Sequence, residues 1–309
     1  MTWTALNPLR LAHPELPPAL VIAARIVTLA LILRGDSPFR VHLPVVGLLD
    51  AVDPAGLDLA TRGAAGIGYV LVLFSPLVRL GAGLSGSAYL LGLLACRPCH
   101  SVAHTFVACL LLVVALSSGA TGTRVLRAQV VLLYAGAAFN KTFDVDWWNG
   151  RYFETLLIAR HDHTLYAAAT TWLPEGWLSI AMGLLTIVTQ WLLAACFLRP
   201  RWTGAGVVLA IAFHGGMVLL LNATFGPFVI ALIAAYVGLT WPDAPPARPA
   251  SGSGWAAAAA WMATRPAMVL LATMLITSEA FGGLVRNVSL VTLSLALLPL
   301  ALRDSRRIT

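Results

Sequence analysis

Charged residues are scarce in this sequence. Only 11% of its 309 residues are Asp, Glu, Lys or Arg, against about 25% in an ordinary soluble domain. Thirteen acidic and twenty basic side chains cannot cover a soluble fold of this size, because apolar residues make up 59% of the chain. The scarcity of charge therefore excludes a large soluble core and predicts an integral membrane protein.

Cysteine is rare as well. The four cysteines are too few for the disulfide framework of a small secreted domain. Residues 1–17 carry mixed charges and lack the apolar centre of a signal peptide, so we expect the first hydrophobic segment to insert and stay in the membrane. The net charge of +7 does not indicate nucleic-acid binding, because the arginines stand singly at the ends of apolar segments, where they orient membrane helices.

Apolar runs recur from one end of the chain to the other, with lengths of about 17–22 residues that suit the crossing of a bilayer. They predict an all-α, polytopic bundle of about ten hydrophobic helices. The predicted spans are 18–34, 62–80, 83–97 (short enough to be re-entrant), 100–118, 124–140, 175–197, 202–221, 226–241, 256–279 and 285–302. An interfacial amphipathic segment is expected at 147–160, where aromatic residues stand among charges.

Composition also predicts the organisation of the chain. The stretch 242–254 is rich in proline and glycine and indicates a flexible linker. It separates a transmembrane domain, 1–241, from two additional transmembrane helices within 255–309.

Arginine placement predicts the topology. The basic tail 303–307 should be cytoplasmic under the positive-inside rule, with the protein in the cell membrane and the lipid bilayer as its first partner. Counting back through the spans puts the 96–103 turn and the 141–174 loop on the outer face. Lys141 and His104 then lie at the same membrane face, and we expect them to face a common cavity.

Among the twenty basic residues only one is a lysine, Lys141, at the end of an apolar helix. Arginine stays charged in proteins, whereas a buried lysine can lose its proton and act as a base. The alternative is that a bias toward arginine has left one lysine by chance, and that it snorkels from a helix end toward water.

Three blocks of sequence carry a family resemblance. VLRAQVVLLYAGAAFNK (125–141) is followed by DVDWWNG (144–150), while RPCHSVAHTFVACLLL (97–112) precedes them and AFHGGMVLLLNATFGPF (212–228) comes later. Over roughly residues 80–240 the chain resembles the vitamin K-dependent γ-carboxylase group and its bacterial relatives with a horizontally transferred transmembrane domain (HTTM). It is closest in size to short bacterial members, such as the membrane component that helps to mature a sporulation-delaying peptide toxin.

The resemblance implies a membrane-embedded enzyme that uses a reduced quinone and oxygen, and carbon dioxide if it carboxylates, to modify or mature a peptide or small molecule. By this resemblance Lys141 is the base that deprotonates the quinol; oxygen then attacks, an epoxide forms and a strong base removes a proton from the substrate. His104 belongs to the same catalytic site. The candidates for binding substrate or cofactor are His214, Tyr134, Gln129, Asp146 and Trp147.

Several departures from the family pattern bear on the reaction. Asn140 stands where the carboxylases have another lysine, Ala103 replaces the asparagine before His104, and one extra residue separates Lys141 from the Asp-Trp pair. We expect no counterpart of the large extramembrane domain with which the carboxylases handle their peptide substrate.

A second hypothesis comes from a different class of protein. A non-catalytic membrane partner for the maturation, export or immunity of a secreted antimicrobial peptide would keep the fold and lose the chemistry. Both hypotheses predict a small secreted peptide precursor and a companion maturation protein as partners, and neither predicts nucleic acid.

The sequence Cys96-Arg-Pro-Cys99-His100 matches the CxxCH pattern of c-type haem attachment. Haem is not expected, because His104 lies too near on the same helix to supply the opposite axial ligand. A metal site is not expected either, since no third ligand accompanies His100 and His104. The cysteines are then small residues at a helix junction, or a structural or redox-active pair on the outer face.

Overall fold

The computed structural model describes residues 16–35, 41–99, 101–117, 119–160, 164–174, 176–221 and 227–240. Within these ranges the chain is helical and forms no β-strand, which confirms the all-α prediction. The helices are α1 (Pro18–Arg34), α2 (Pro54–Phe74), α3 (Val78–Ala95), α4 (Val102–Leu116), α5 (Gly119–Phe143), α6 (Val145–Trp148), α7 (Arg151–Glu154), α8 (Thr164–Thr170), α9 (Trp177–Leu198), α10 (Thr203–Leu221) and α11 (Pro227–Thr240). The linker, the two C-terminal spans and the C-terminus itself lie outside the described residues, as does His100.

Three of the described helices, α2, α3 and α9, are long and apolar enough to cross a membrane. With 18 residues, α3 has the length of a full span, although its predicted counterpart was short enough to be re-entrant. Shorter apolar helices occur within α1, α4 and α11. The structure therefore supports membrane helices, and the count of ten spans stays a prediction.

The boundaries of α2 and α3 differ from the predicted spans 62–80 and 83–97. Helix α2 begins eight residues before its predicted span, because the Asp53 carboxylate accepts the backbone N–H of Gly56 at 2.6 Å and Pro54 occupies the first helical position. It ends at Phe74, since Ser75 takes an extended backbone conformation immediately before a proline. The predicted span 62–80 therefore ran across the turn between two helices.

The first compact unit comprises the described residues of 16–126 and 227–240. Small residues allow close packing between α2 and α3, where a Cβ on Gly68 would lie 2.6 Å from the carbonyl oxygen of Gly81. Arg25 in α1 donates its Nε to the carbonyl oxygen of Val72 at 3.2 Å, near the C-terminal end of α2. A polar partner thus compensates this arginine within an apolar helix.

The second compact unit comprises the described residues of 127–221. In its core, the segment between α5 and α9 packs against α9. The buried side chains of this cluster are Trp147, Phe153, Leu157, Tyr166 and Ile187. The segment 147–160 has two faces: three of these core residues belong to it, while its Trp148 and Tyr152 are exposed. Its place at the membrane interface stays a prediction.

Candidate functional site

Arg127, Tyr134 and Lys141 follow one another at intervals of seven residues on α5. Seven residues make almost two helical turns, so the three side chains lie on one face, about 10 Å apart along the helix axis. The buried residues Val130 and Ala138 share this face. The face therefore carries polar groups along a surface that packs inside the second unit.

Lys141 lies at the last turn of α5 and is half-buried. Its Nζ is 4.7 Å from the centroid of the Trp147 ring, which is the geometry of a cation–π contact. It also donates a long hydrogen bond of 3.4 Å to the carbonyl oxygen of Ala137. No ion pair of Lys141 occurs within the described residues. The Asp144 carboxylate, three residues on, instead accepts the backbone N–H of Asp146 at 3.0 Å and caps α6.

Two glycines hold Trp147 in place beneath Lys141. Gly150 has a φ of +81°, a conformation that L side chains rarely adopt, and a Cβ there would lie 2.6 Å from the Cβ of Ser179. At Gly183 a Cβ would collide with the carbonyl oxygen of Trp147. The Asp-Trp-Trp-Asn-Gly turn therefore rests directly on the backbone of α9, where Trp147 is only 7% exposed.

The next group on this face of α5 is Tyr134, whose hydroxyl lies 2.9 Å from Nε2 of His214 on α10. The Tyr134 ring also stacks on Phe197 of α9, with the centroids 5.9 Å apart. A glycine, Gly206, brings α10 close to α9, since a Cβ there would lie 3.1 Å from that of Cys196. Two of the predicted binding residues, 80 positions apart, are thus brought into one hydrogen-bonded pair.

Arg127 lies at the other end of this face. Its guanidinium Nη1 donates to the carbonyl oxygen of Phe197 at 3.1 Å and to the Thr203 hydroxyl at 2.6 Å. These contacts join the C-terminal end of α9, whose last carbonyl groups lack helical partners, to the start of α10. Arg127, part of the family-like pattern, therefore has a structural role in the second unit.

Two predicted binding residues lie elsewhere in the second unit. Gln129 is two positions from Arg127, which rotates it well away from the face that carries Tyr134 and Lys141. Asp146 lies in the first turn of α6, where its backbone N–H binds Asp144. The structure does not place either side chain against Lys141.

His104 belongs to the first unit, in the first turn of α4. Its Nδ1 lies 2.8 Å from the hydroxyl of Ser101, the residue that caps the same helix. Its ring stacks on Tyr89, with the centroids 6.3 Å apart, and the Tyr89 hydroxyl lies 3.1 Å from that of Tyr69. The histidine thus sits in a polar group formed by α2, α3 and α4. The common cavity for His104 and Lys141 stays a prediction.

Sequence reasoning missed residues that shape the site. Thr142 accepts hydrogen bonds from two indoles, at its carbonyl from Trp148 at 2.7 Å and at its hydroxyl from Trp191 at 3.2 Å. Gly183 was missed too, because nothing in the sequence says that the Trp147 carbonyl will lie against it. For Thr142, the aromatic residues of 147–160 were the feature of the sequence that could have indicated its contacts.

Comparison with protein-family models, with curated proteins and with solved structures finds no match to this chain. Among the described residues there is no group of three or more His, Cys, Asp or Glu side chains that could hold a metal ion. The candidate site therefore rests on the geometry around Lys141.

Proposed function

We propose that the chain is a polytopic membrane enzyme of the carboxylase-like family, in which Lys141 takes a proton from a quinol. The proposal is supported by the resemblance in residues 97–112, 125–150 and 212–228, and by the apolar helices of the described residues. A quinol dissolves in the bilayer, and in this proposal α5 crosses the bilayer, so that the base at its end meets the quinol without crossing water.

The setting of the Lys141 ammonium carries the proposal. A lysine that only anchors a helix extends to water or pairs with a carboxylate. Lys141 forms no ion pair within the described structure: it is half-buried over an indole, donates to a backbone carbonyl, and has the Asp144 carboxylate as its nearest charged influence. Burial favours the neutral amine, which a base must be before it reacts, whereas the Asp144 carboxylate and the Trp147 ring favour the ammonium; burial is the largest of these effects.

The surroundings also suit the product of proton transfer. When the Lys141 amine accepts a proton from a quinol hydroxyl, the ammonium forms on the face of Trp147 and the negative charge stays on the quinol oxygen. A cation–π contact of this kind stabilises the cation by about 0.5–2 kcal/mol, which offsets part of the cost of forming a charge there. Trp147 therefore favours proton transfer from the quinol to Lys141, and the indole itself does not change charge.

The other polar groups would orient the reactants. The Tyr134–His214 pair lies two helical turns from Lys141 and offers a hydroxyl and an imidazole to a substrate or cofactor. His104, whose Nδ1 lies 2.8 Å from the Ser101 hydroxyl, is a catalytic candidate by the family resemblance. Oxygen is the expected co-substrate, and a peptide or small molecule is the expected target of the modification.

A quinol oxidation assay tests this function. Reduced menadione serves as the probe, with oxygen uptake as the rate and the mass of an oxygenated quinone as the product. We expect wild-type protein in detergent to form the product, and Lys141→Arg to lower the rate roughly 100-fold or more while keeping its fold, because guanidinium does not give up its proton.

Arg124→Lys is the matched control, since Arg124 is exposed on the same helix and the exchange again swaps the two cations. It should keep the wild-type rate. Equal rates for wild type and Lys141→Arg, or no oxygenated product from either, would overturn the proposal and favour a non-catalytic partner of a secreted peptide.

A further inference from the structure

The turn between α3 and α4 contains a disulfide between Cys96 and Cys99, three positions apart. The two sulfurs have different surroundings, because Cys96 is completely buried whereas Cys99 is half-buried and follows the exposed residues Arg97 and Pro98. An incoming thiol therefore has a route to one sulfur of the pair.

The fold of this turn has other supports. The backbone N–H of Cys99 donates to the carbonyl oxygen of Cys96 at 2.9 Å, and that of Arg97 donates to Leu43 at 2.8 Å. Below the turn, α3 and α4 pack closely, since a Cβ on Gly86 would lie 3.1 Å from that of Leu111. A disulfide across so short a loop contributes about 2 kcal/mol through the entropy of the unfolded chain, less than one across a longer loop. The hairpin is therefore also fixed by contacts other than the bond.

The charges around Cys99 favour its thiolate. Cys99 lies two residues before Ser101, the N-cap of the 15-residue helix α4, where the helix dipole is positive. Arg97, two residues earlier in the same turn, carries a positive charge. Such surroundings make a cysteine a good leaving group in disulfide exchange. Once the bond is reduced, the thiolate of Cys99 is thus stabilised.

Exposed apolar residues lie beside the disulfide. The extended segment before α2 bonds the backbone on both sides of Cys96, with Leu43 N–H donating to Ala95 at 3.1 Å. Along this segment Val41, Leu43 and Val45 are each more than half exposed. A peptide thiol that is flanked by apolar residues could pack against these exposed side chains.

We propose that Cys96–Cys99 is a redox-active disulfide that oxidises a dithiol in an apolar peptide, with Cys99 as the sulfur that is attacked. A peptide thiolate bonds to Sγ of Cys99 and displaces Cys96, which takes up a proton. The second peptide thiolate then attacks the peptide sulfur of this mixed disulfide and releases Cys99 as a thiolate. Two electrons pass from the peptide sulfurs to the cysteines, and the peptide leaves as a disulfide. This chemistry is independent of Lys141.

The first test uses full-length protein in detergent with Cys109→Ser and Cys196→Ser, which removes the two free cysteines. The probe is a synthetic peptide with two cysteines separated by two residues and flanked by leucines. We expect one peptide disulfide to form per protein without denaturant, at least five times faster than with glutamates in place of the leucines. A disulfide that reacts only after unfolding, or equal rates for the two peptides, would overturn the proposal.

The second test separates the two sulfurs. Both variants are made in the protein that already carries Cys109→Ser and Cys196→Ser. With the oxidised leucine peptide, Cys96→Ser retains Cys99 and should form a mixed disulfide at least ten times faster than Cys99→Ser, which retains the buried Cys96. Equal trapping by the two variants, measured by intact mass, contradicts the assigned roles. The first test needs neither variant, so it decides the matter even if a serine substitution prevents folding.

Discussion

Replacing Gly183 by alanine should disturb the turn that places Trp147 under Lys141. The added Cβ would overlap the carbonyl oxygen of Trp147 and lie 3.2 Å from its carbonyl carbon, so backbone must move against backbone. Overpacking of this kind costs about 1–3 kcal/mol, and a backbone clash belongs at the upper end. Alanine returns about 1 kcal/mol through its higher helix propensity. We therefore expect a net loss of roughly 2 kcal/mol.

The matched control is Gly136→Ala, because a Cβ at that position of α5 would have no atom within 4 Å. It should be neutral or stabilising by up to about 1 kcal/mol. Thermal unfolding in detergent, followed by near-ultraviolet circular dichroism of the tryptophans, measures both variants. A loss of 2 kcal/mol lowers the melting temperature by roughly 3 °C in a protein of this size. If Gly183→Ala melts like Gly136→Ala with an unchanged tryptophan signal, the close contact between the Trp147 turn and α9 is contradicted.

Two further predictions concern the polar groups of each unit. Tyr134→Phe keeps the ring stacked on Phe197 but removes the hydroxyl that meets His214, so it should lower the free energy of unfolding by about 1 kcal/mol; an unchanged melting temperature would speak against the pair. Ser101→Ala removes both the cap of α4 and the partner of His104, and should cost about 1 kcal/mol, with Ser101→Thr restoring most of it. Modification of His104 by diethyl pyrocarbonate should also become faster in Ser101→Ala but not in Ser101→Thr. Equal rates in these two variants would contradict the assigned contact.

Much of the helical architecture was predictable from hydropathy, but the ends of the helices were not. The apolar run of α9 predicted 175–197, and the helix spans Trp177–Leu198, because its apolar residues fill the whole helix. Helix α2 starts with a polar turn that includes the Asp58–Arg62 ion pair at 2.6 Å, and this turn precedes its apolar run. Hydropathy reports where a helix is apolar, and capping chemistry decides where it begins.

The site was predictable along one helix and not between helices. The seven-residue spacing of Tyr134 and Lys141 places them on one face of α5 from the sequence alone. The pairing of Tyr134 with His214 required α10 to fold back along α9, at a distance that Gly206 sets. No periodicity within a segment contains that information, because it depends on contacts between residues far apart in the chain.

Chemical rescue of Lys141→Ala tests the role of Lys141 as a base most directly. The variant should lack quinol oxidation, and small primary amines should restore part of the rate with reduced menadione in proportion to the concentration of the unprotonated amine. Tetramethylammonium, a cation without a transferable proton, is the control and should restore nothing. Rescue by the amines alone is the result that the account predicts. Equal rescue by tetramethylammonium would show that the site needs only a positive charge, and a fully active Lys141→Ala variant would show that it needs no lysine at all.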